Sequence, residues 1–295
     1  MTDVTGASLA SAAQPWRRRR SRTSVQALGR HVLVYGVALV ILLPFIWVFF
    51  SAFKSEAELL RYPPTLLPQE WTLQNFTQFF RATSFHIAMF NSGMLAAATA
   101  LFAMAVAAPA AYALARYKVP LFENIARLFV YTYMIPGILL VLPVYKIFFN
   151  LGLANNIWAL VPIYTALVLP LMLWTLRSFF AGIPVELEEA AMIDGATRWQ
   201  AFWRVALPQA IPGMIATGIV AVNIGWSEYL FAATLLTSPD NMTISPRIAS
   251  FMGRGLYNWG WLMAGALAVT GPLIVISGFM QRYLIAGWGA GALKG

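Results

Sequence analysis

The residues best suited to a specific chemistry form a short polar segment between two long apolar stretches. It reads Glu188-Glu189-Ala190-Ala191-Met192-Ile193-Asp194-Gly195, and nine residues later comes Val205-Ala206-Leu207-Pro208. Acidic side chains stabilise the N-terminal end of a helix, and glycine favours the left-handed conformation that often ends one. The segment therefore predicts a short helix with small side chains on one face. Such a face favours close docking of a partner rather than catalysis.

The residues after Gly195 predict a second helix within the same loop, which covers residues 177–211. Thr197 and Gln200 have the spacing of a capping box, in which each side chain satisfies a backbone N–H at the helix start. An apolar stripe suited to the membrane interface or to neighbouring spans follows, and Pro208 is expected to end the helix. The stripe consists of Trp199, Phe202, Trp203 and Ala206. A plain amphipathic hairpin without a partner is the alternative interpretation.

A second candidate site surrounds Glu228, in the sequence Gly225-Trp226-Ser227-Glu228-Tyr229-Leu230. A carboxylate inside an apolar span is costly, so it indicates a functional site by default. Its helical face is shared with Ala221 and Gly225, which turns it toward packed protein or a cavity. Two interpretations have equal weight: a group on a solute path, and a structural carboxylate bonded to a neighbouring helix. The path candidates are Glu228, Trp226, Ser227, Asn223 and Asn91.

Several other chemistries lack the residues that they need. The sequence has no cysteine, and its two histidines, His31 and His86, each lie at the edge of an apolar stretch. No Ser/His/Asp set, no metal-ligand spacing and no G-x-x-x-x-G-K-[ST] phosphate loop is present. The chain is therefore expected to bind no metal or cofactor and not to be an enzyme. Any ATP must be bound by another chain.

The elements that must position these residues are membrane spans. The sequence is 60% hydrophobic and 11% charged, whereas soluble domains carry roughly a quarter of charged residues. A transmembrane helix needs about 20 mostly apolar residues, because its backbone polar groups must bond within the segment. The sequence predicts an all-α integral membrane protein with six spans: His31–Phe53, Ile87–Leu114, Leu128–Tyr145, Ile157–Leu176, Pro212–Leu236 and Trp261–Met280.

The distribution of Lys and Arg predicts the orientation, because cytoplasmic loops retain these residues. Fourteen of the 20 basic residues fall on the side that both termini share. Both termini and the polar loop are therefore predicted to be cytoplasmic. Residues 1–30 are interpreted as a basic tail that lies against anionic membrane lipids rather than nucleic acid, and residues 31–295 as the membrane domain.

The polar loop resembles the cytoplasmic coupling loop of permeases of binding-protein-dependent ABC importers. The matching pattern is Glu-Ala-Ala, three residues, glycine, nine residues, an aliphatic residue, one residue and Leu-Pro. The resemblance covers about residues 85–282 and extends to the C-terminal Gly-Ala-Leu-Lys-Gly, which is similar to that of maltose-type carbohydrate permeases. Ser227 replaces an Asn that sugar permeases often carry after the Trp, which puts a substrate role of that amide in doubt here.

The resemblance implies the type I importer permease fold in the cytoplasmic membrane of a prokaryote. It also implies import of a sugar, an oligosaccharide or disaccharide, by alternating access. The implied partners are a second homologous permease subunit, a dimer of cytoplasmic ATPase subunits that carry ATP and Mg, and an extracytoplasmic sugar-binding protein that contacts the outer loop at 237–260. The implied coupling residues are Glu189, Ala190, Ala191, Asp194, Gly195, Leu207 and Pro208.

Other transport functions remain open at this point. Within the importer class, glycerol-phosphate or another small polar solute is the alternative substrate. A secondary transporter driven by an ion gradient would use Glu228 as its proton or cation site, but such folds usually have inverted repeats and more spans. That class does not explain the polar loop, and neither does a membrane scaffold without transport activity.

Overall fold

The structure is a computed structural model of the chain. It describes the backbone of residues 23–117, 119–253 and 258–292, and the side chains in these ranges except at 23–27, 122, 126, 130, 252–253 and 280–292. Most of the predicted basic tail and the last three residues of the chain lie outside the described residues. The described residues form helices, turns and connections.

The helices are numbered in chain order. They are α1 (Thr23–Ala52), α2 (Glu56–Leu59), α3 (Gln74–Thr83), α4 (Phe85–Arg116), α5 (Pro120–Tyr133), α6 (Gly137–Asn150), α7 (Leu160–Gly182), α8 (Glu186–Ile193), α9 (Arg198–Ala201), α10 (Leu207–Ser227), α11 (Leu230–Leu235), α12 (Ile244–Gly253) and α13 (Trp259–Ala292). A 3-10 turn at Ile157–Ala159 precedes α7, and a π-helical turn at Phe202–Ala206 joins α9 to α10.

Within the described residues, five helical stretches are long and apolar enough to cross a membrane, and a bent pair of helices would make a sixth span. Helices α1, α4, α7 and α13 confirm the predicted first, second, fourth and sixth spans. The predicted third span, Leu128–Tyr145, corresponds to the bent pair, in which α5 and α6 meet at 102°. Pro136 lies at this bend; it lacks an N–H donor and disfavours helical geometry in the residue before it.

The fifth span differs from its prediction at both ends. Pro208 does not end the preceding helix, since α9 continues through the π-helical turn into α10. Proline has no N–H to donate to a carbonyl of the preceding turn. A π-helical turn is one way for a helix to continue despite this missing hydrogen bond. At the far end α10 stops at Ser227 and α11 starts at Leu230, so the predicted span Pro212–Leu236 is interrupted at Glu228.

Residues 1–47 and residues 48–295 form two units. The described part of the first unit belongs to α1 and exposes apolar side chains along most of its length, as suits a helix that meets lipid. The second unit is built on α4, α7 and α10, which pack against one another, with α13 against α10. Small residues let membrane helices approach closely. Those buried in this core include Ala103, Ala107, Ala111, Ala210 and Ala221.

Gly225 lies where α10 approaches the backbone of α4. A Cβ atom at this position would be 2.5 Å from Ala96 Cα, which is too close for any side chain without a backbone shift. We expect Gly225→Ala to destabilise the folded protein by about 1–3 kcal/mol, the usual range for overpacking. The measurement is the midpoint of thermal aggregation of the purified protein in detergent.

Gly218→Ala is the matched control on the same helix. There the new Cβ would meet only the flexible end of Met104, at 3.7 Å. Both substitutions raise helix propensity by about 1 kcal/mol, so the difference between them isolates the packing at Gly225. Equal midpoints for the two variants would contradict this account of the contact between α4 and α10.

Candidate functional site

The polar loop folds around Gly195 as the sequence predicts. Gly195 adopts φ +92°, in the left-handed region, just after α8 ends. The Gly195 N–H donates to Met192 O at 3.1 Å and the Ala196 N–H donates to Ala191 O at 3.0 Å, which satisfies two carbonyls at the helix end. Thr197 and Gln200 form the predicted capping box at the start of α9. Helices α8 and α9 are therefore joined by one tight turn whose conformation depends on glycine.

The coupling residues that the resemblance implies are accessible to a partner. The exposed ones are Glu189, Ala190, Asp194, Gly195 and Pro208, and the half-buried ones are Ala191 and Leu207. Beside them, the apolar side chain of Ile193, the last residue of α8, is 86% exposed. The outer face of α8 thus combines small, acidic and apolar groups that can contact another protein.

The inner face of α8 is held by a buried ion pair that the sequence alone did not predict. Arg116, the last residue of α4, donates from Nε and Nη2 to Glu188 Oε1 at 2.8 and 2.6 Å. The Tyr112 hydroxyl donates to Glu188 Oε2 at 2.5 Å. From its position, Glu188 was expected only to stabilise the N-terminal end of the helix. Its place on the face opposite Ala190 is the signal that could have indicated a buried partner.

An aromatic cluster packs the end of α9 and the π-helical turn against α4 and α7. Phe202 is buried, with its ring centroid 4.7 Å from that of Tyr112 and 6.2 Å from that of Phe180. Trp199 and Trp203 are instead 61% and 51% exposed. Both tryptophan rings still lie against the Phe202 ring, with centroids 5.4 Å away in each case. The predicted apolar stripe is therefore present, with Phe202 and Ala206 packed on the protein and the two tryptophans on its exposed side.

A cavity of about 570 Å³ lies next to the broken third span. Its walls come from α5, α6, α7 and α10, and they combine aromatic and aliphatic side chains with three hydroxyl groups and one carboxylate. The lining residues are Phe129, Thr132, Tyr133, Ile135, Gly137, Leu140, Ala166, Leu167, Pro170, Ile224, Ser227 and Glu228. Aromatic faces beside polar groups are suited to a solute that carries hydroxyls on an apolar ring.

Glu228 lines this cavity and also caps the next helix. It follows the last residue of α10, and its Oε1 accepts the N–H of Leu230 at 2.6 Å and that of Phe231 at 3.1 Å. Its Oε2 accepts the N–H of Phe231 at 3.2 Å and that of Ala232 at 3.3 Å. A carboxylate at the N-terminal end of a helix satisfies backbone donors that have no partner within the helix. The carboxylate is half-buried, so its charge still borders the cavity.

The other path candidates are distributed over several places. Ser227 lines the cavity beside Glu228, and Asn223, one turn earlier, is exposed outside the lining. Trp226 is buried and donates its Nε1–H to a backbone carbonyl of α13 at 3.2 Å. Asn91 donates its side-chain amide to two backbone carbonyls of the loop at 240–242, at 2.8 and 3.1 Å. The structure thus brings Ser227 and Glu228 together, and it places Trp226 and Asn91 in contacts that hold the fold.

The sequence that carries both parts of the site matches a known family of membrane proteins. Residues 107–288 match the family described as the binding-protein-dependent transport system inner membrane component. The chain belongs to this family. The matched residues include the whole polar loop and the break at Glu228.

Curated relatives match the permease over nearly its full length. The sulfoquinovosyl glycerol transport system permease protein SmoH of Agrobacterium fabrum is 35% identical over 86% of this chain and 89% of its own length. The trehalose transport system permease protein SugB of Mycobacterium tuberculosis is 35% identical over 89% of this chain and 95% of its own length. The permease is accordingly a multi-pass protein of the cytoplasmic membrane of a prokaryote.

A solved structure confirms the fold of the permease. A chain of a bacterial ABC transporter involved in the import of the acidic polysaccharide alginate superimposes with a TM-score of 0.74 and 21% sequence identity. The superposition covers 92% of the permease and 99% of that chain. The importer permease fold predicted from the sequence is therefore confirmed.

Proposed function

We propose that this chain is the transmembrane permease subunit of an ATP-driven importer that moves a sugar, an oligosaccharide or disaccharide, across the cytoplasmic membrane by alternating access. The observation that carries the proposal is the pairing of an accessible docking helix, α8, with a solute-sized cavity in one membrane domain of the importer family. The two relatives above are named for transport of glycosides, which supports a sugar as the solute.

The energy for transport comes, in this proposal, from a dimer of ATPase subunits that bind ATP and Mg on the cytoplasmic side. The small side chains of Ala190 and Ala191 and the Gly195 turn form the surface that docks into a cleft on one ATPase subunit. Small side chains there allow backbone approach, and the acidic groups Glu189 and Asp194 offer charged hydrogen bonds to the cleft. A second homologous permease subunit completes the path, and an extracytoplasmic binding protein delivers the sugar.

The cavity supports a sugar over glycerol-phosphate. Among the described residues of its lining, the one charged group is Glu228. A carboxylate repels a phosphate in a site of low dielectric, whereas it accepts hydrogen bonds from sugar hydroxyls. Phe129 and Tyr133 supply the aromatic faces that a sugar ring stacks on.

The test of this proposal is transport by the complete complex. The chain would be expressed with its neighbouring genes, purified and reconstituted in proteoliposomes with a panel of labelled disaccharides that includes trehalose and maltose. We expect uptake that requires ATP on the cytoplasmic side and the loaded binding protein outside. Uptake that instead follows an imposed proton or sodium gradient without ATP would show a secondary transporter.

The distribution of Lys and Arg between the two sides of the membrane predicts the orientation of both ends. Reporters fused at Arg17 and at Lys294 should be active only in the cytoplasm, and one fused at Asn241 only outside, because fourteen of the 20 basic residues lie on the side of the termini. Alkaline phosphatase and green fluorescent protein fusions measure this directly. A cytoplasmic signal at Asn241 would overturn both the orientation and the assignment of the fifth span.

A further inference from the structure

We propose that Arg116 and Tyr112 are positioning residues that join the docking helix α8 rigidly to α4, so that α4 carries the movement of α8 to the loop at 240–244. The proposal rests on the proposed function, because it assigns these residues a part in coupling to ATP. Neither side chain lies on the exposed docking surface; both act through Glu188.

The contact has the features of a rigid joint. The side chains of Arg116 and Glu188 are only 8% and 5% exposed, and three donor atoms converge on one carboxylate. The guanidinium fork meets the carboxylate through two hydrogen bonds, which fixes direction as well as distance. A buried charge that loses its partner is strongly disfavoured, so neither group can move away without the other.

Helix α8 depends on this joint for its position. It has eight residues, which is too short for a helix to be stable on its own. One end is bounded by the Gly195 turn. Arg116 also donates from Nη2 to Ile183 O at 3.1 Å, just beyond the end of α7. A single guanidinium therefore holds α4, α8 and the segment after α7 together.

The opposite end of α4 is attached to the loop at 240–244. Asn91 donates to Asp240 O and Met242 O, and the Ser92 hydroxyl accepts the Ile244 N–H at 3.0 Å. Ser92 is fully buried. One continuous helix thus has side-chain bonds to α8 at its C-terminal end and to this loop at its N-terminal end. These contacts connect the docking helix α8 physically, through α4, to the residues at 240–244.

The first test removes one donor from the joint and keeps the buried ion pair. In the reconstituted complex, Tyr112→Phe loses the hydrogen bond to Glu188 Oε2 but should assemble normally and hydrolyse ATP at its basal rate. We expect uptake of the transported disaccharide, and the stimulation of ATP hydrolysis by loaded binding protein, to fall about tenfold, as for the loss of a charged hydrogen bond. Tyr117→Phe is the matched control, because it removes a hydroxyl just beyond the end of α4 from a ring that lies against Arg198 rather than Glu188; it should behave as wild type.

The second test replaces the joint with a reversible covalent link. The chain contains no cysteine, so Arg116→Cys with Glu188→Cys supplies the only two thiols of this subunit. A bis-methanethiosulfonate reagent with a spacer of the length of the Arg–Glu pair joins them, and a reductant releases them. Coupling should be weak in the unlinked protein, recover after linking and be lost again on reduction.

The outcomes separate this proposal from the proposed function. If the wild-type complex shows no ATP-dependent uptake, the proposed function fails. If wild type is coupled and Tyr112→Phe is equally coupled, the joint has no part in coupling. Failure of Tyr112→Phe to assemble, or a linked protein that assembles but stays uncoupled, would make these contacts an element of folding only and would overturn the proposal.

Discussion

A Gly195→Asp variant should reach the membrane at normal abundance and lose ATP-driven uptake by about tenfold to a hundredfold. Gly195 has φ +92°, a conformation that costs a residue with a side chain about 1–3 kcal/mol. The turn would relax by moving α8, whose position decides how it meets the ATPase. A free-energy change of that size corresponds to one to two decades in affinity or rate. The added carboxylate would also place a new charge on the docking surface.

Two controls separate these effects. Gly195→Asn has the shape of Asp without its charge and tolerates left-handed geometry, so it should retain more uptake than Gly195→Asp. Gly182→Asp makes the same substitution at the end of α7, where a new Cβ would have no atom within 4 Å, and should transport as wild type. Uptake is measured together with the amount of protein in the membrane. Normal uptake by Gly195→Asp at normal abundance would show that the turn is not used in coupling.

The features that could be predicted from the sequence are those that local chemistry decides. Gly195 and the capping box of Thr197 with Gln200 depend on residues a few positions apart, and both are confirmed. The long apolar runs of α4 and α7 are also confirmed, because a span needs only length and hydrophobicity. These signals are complete within one segment, so no knowledge of the packing is required.

The features that could not be predicted depend on residues far apart in the chain. Arg116 and Glu188 are 72 positions apart, and each alone resembles an ordinary charged residue at a membrane boundary. Asn91 was a path candidate because it is polar within a span, yet its amide binds the backbone of a loop 149 positions away. Only the packing of α4 shows that these groups already have partners.

The break in the third span shows a different limit of the sequence. Hydropathy identifies an apolar stretch at Leu128–Tyr145 but does not give the angle within it, and α5 and α6 meet there at 102°. Proline marks a kink in many membrane helices, but neighbouring helices decide its angle. Here the break forms a wall of the cavity, and Gly137 and Ile135 on either side of Pro136 line it.

The same cavity makes Glu228→Gln the most informative substitution in the fifth span. The amide retains one oxygen acceptor, which can keep the bonds that Glu228 Oε1 makes with the Leu230 and Phe231 N–H groups. It removes the negative charge that borders the cavity. If the carboxylate contacts the sugar or controls the path, we expect normal assembly with uptake reduced by about one to two decades, the size of a lost charged hydrogen bond.

Glu228→Ala provides the comparison that separates a path role from a cap. Alanine removes every bond to the N-terminal end of α11, at a cost of about 0.5–2 kcal/mol for a lost helix cap, so assembly should fall as well as uptake. Uptake of labelled disaccharide and stimulated ATP hydrolysis are measured in both purified complexes. Wild-type values for both in Glu228→Gln, beside poor assembly of Glu228→Ala, would leave the carboxylate as a cap alone. Reduced uptake in a fully assembled Glu228→Gln complex would place its charge on the path, because full assembly shows that the two bonds kept by the amide oxygen suffice for the cap, although the bonds of Oε2 to Phe231 and Ala232 are lost.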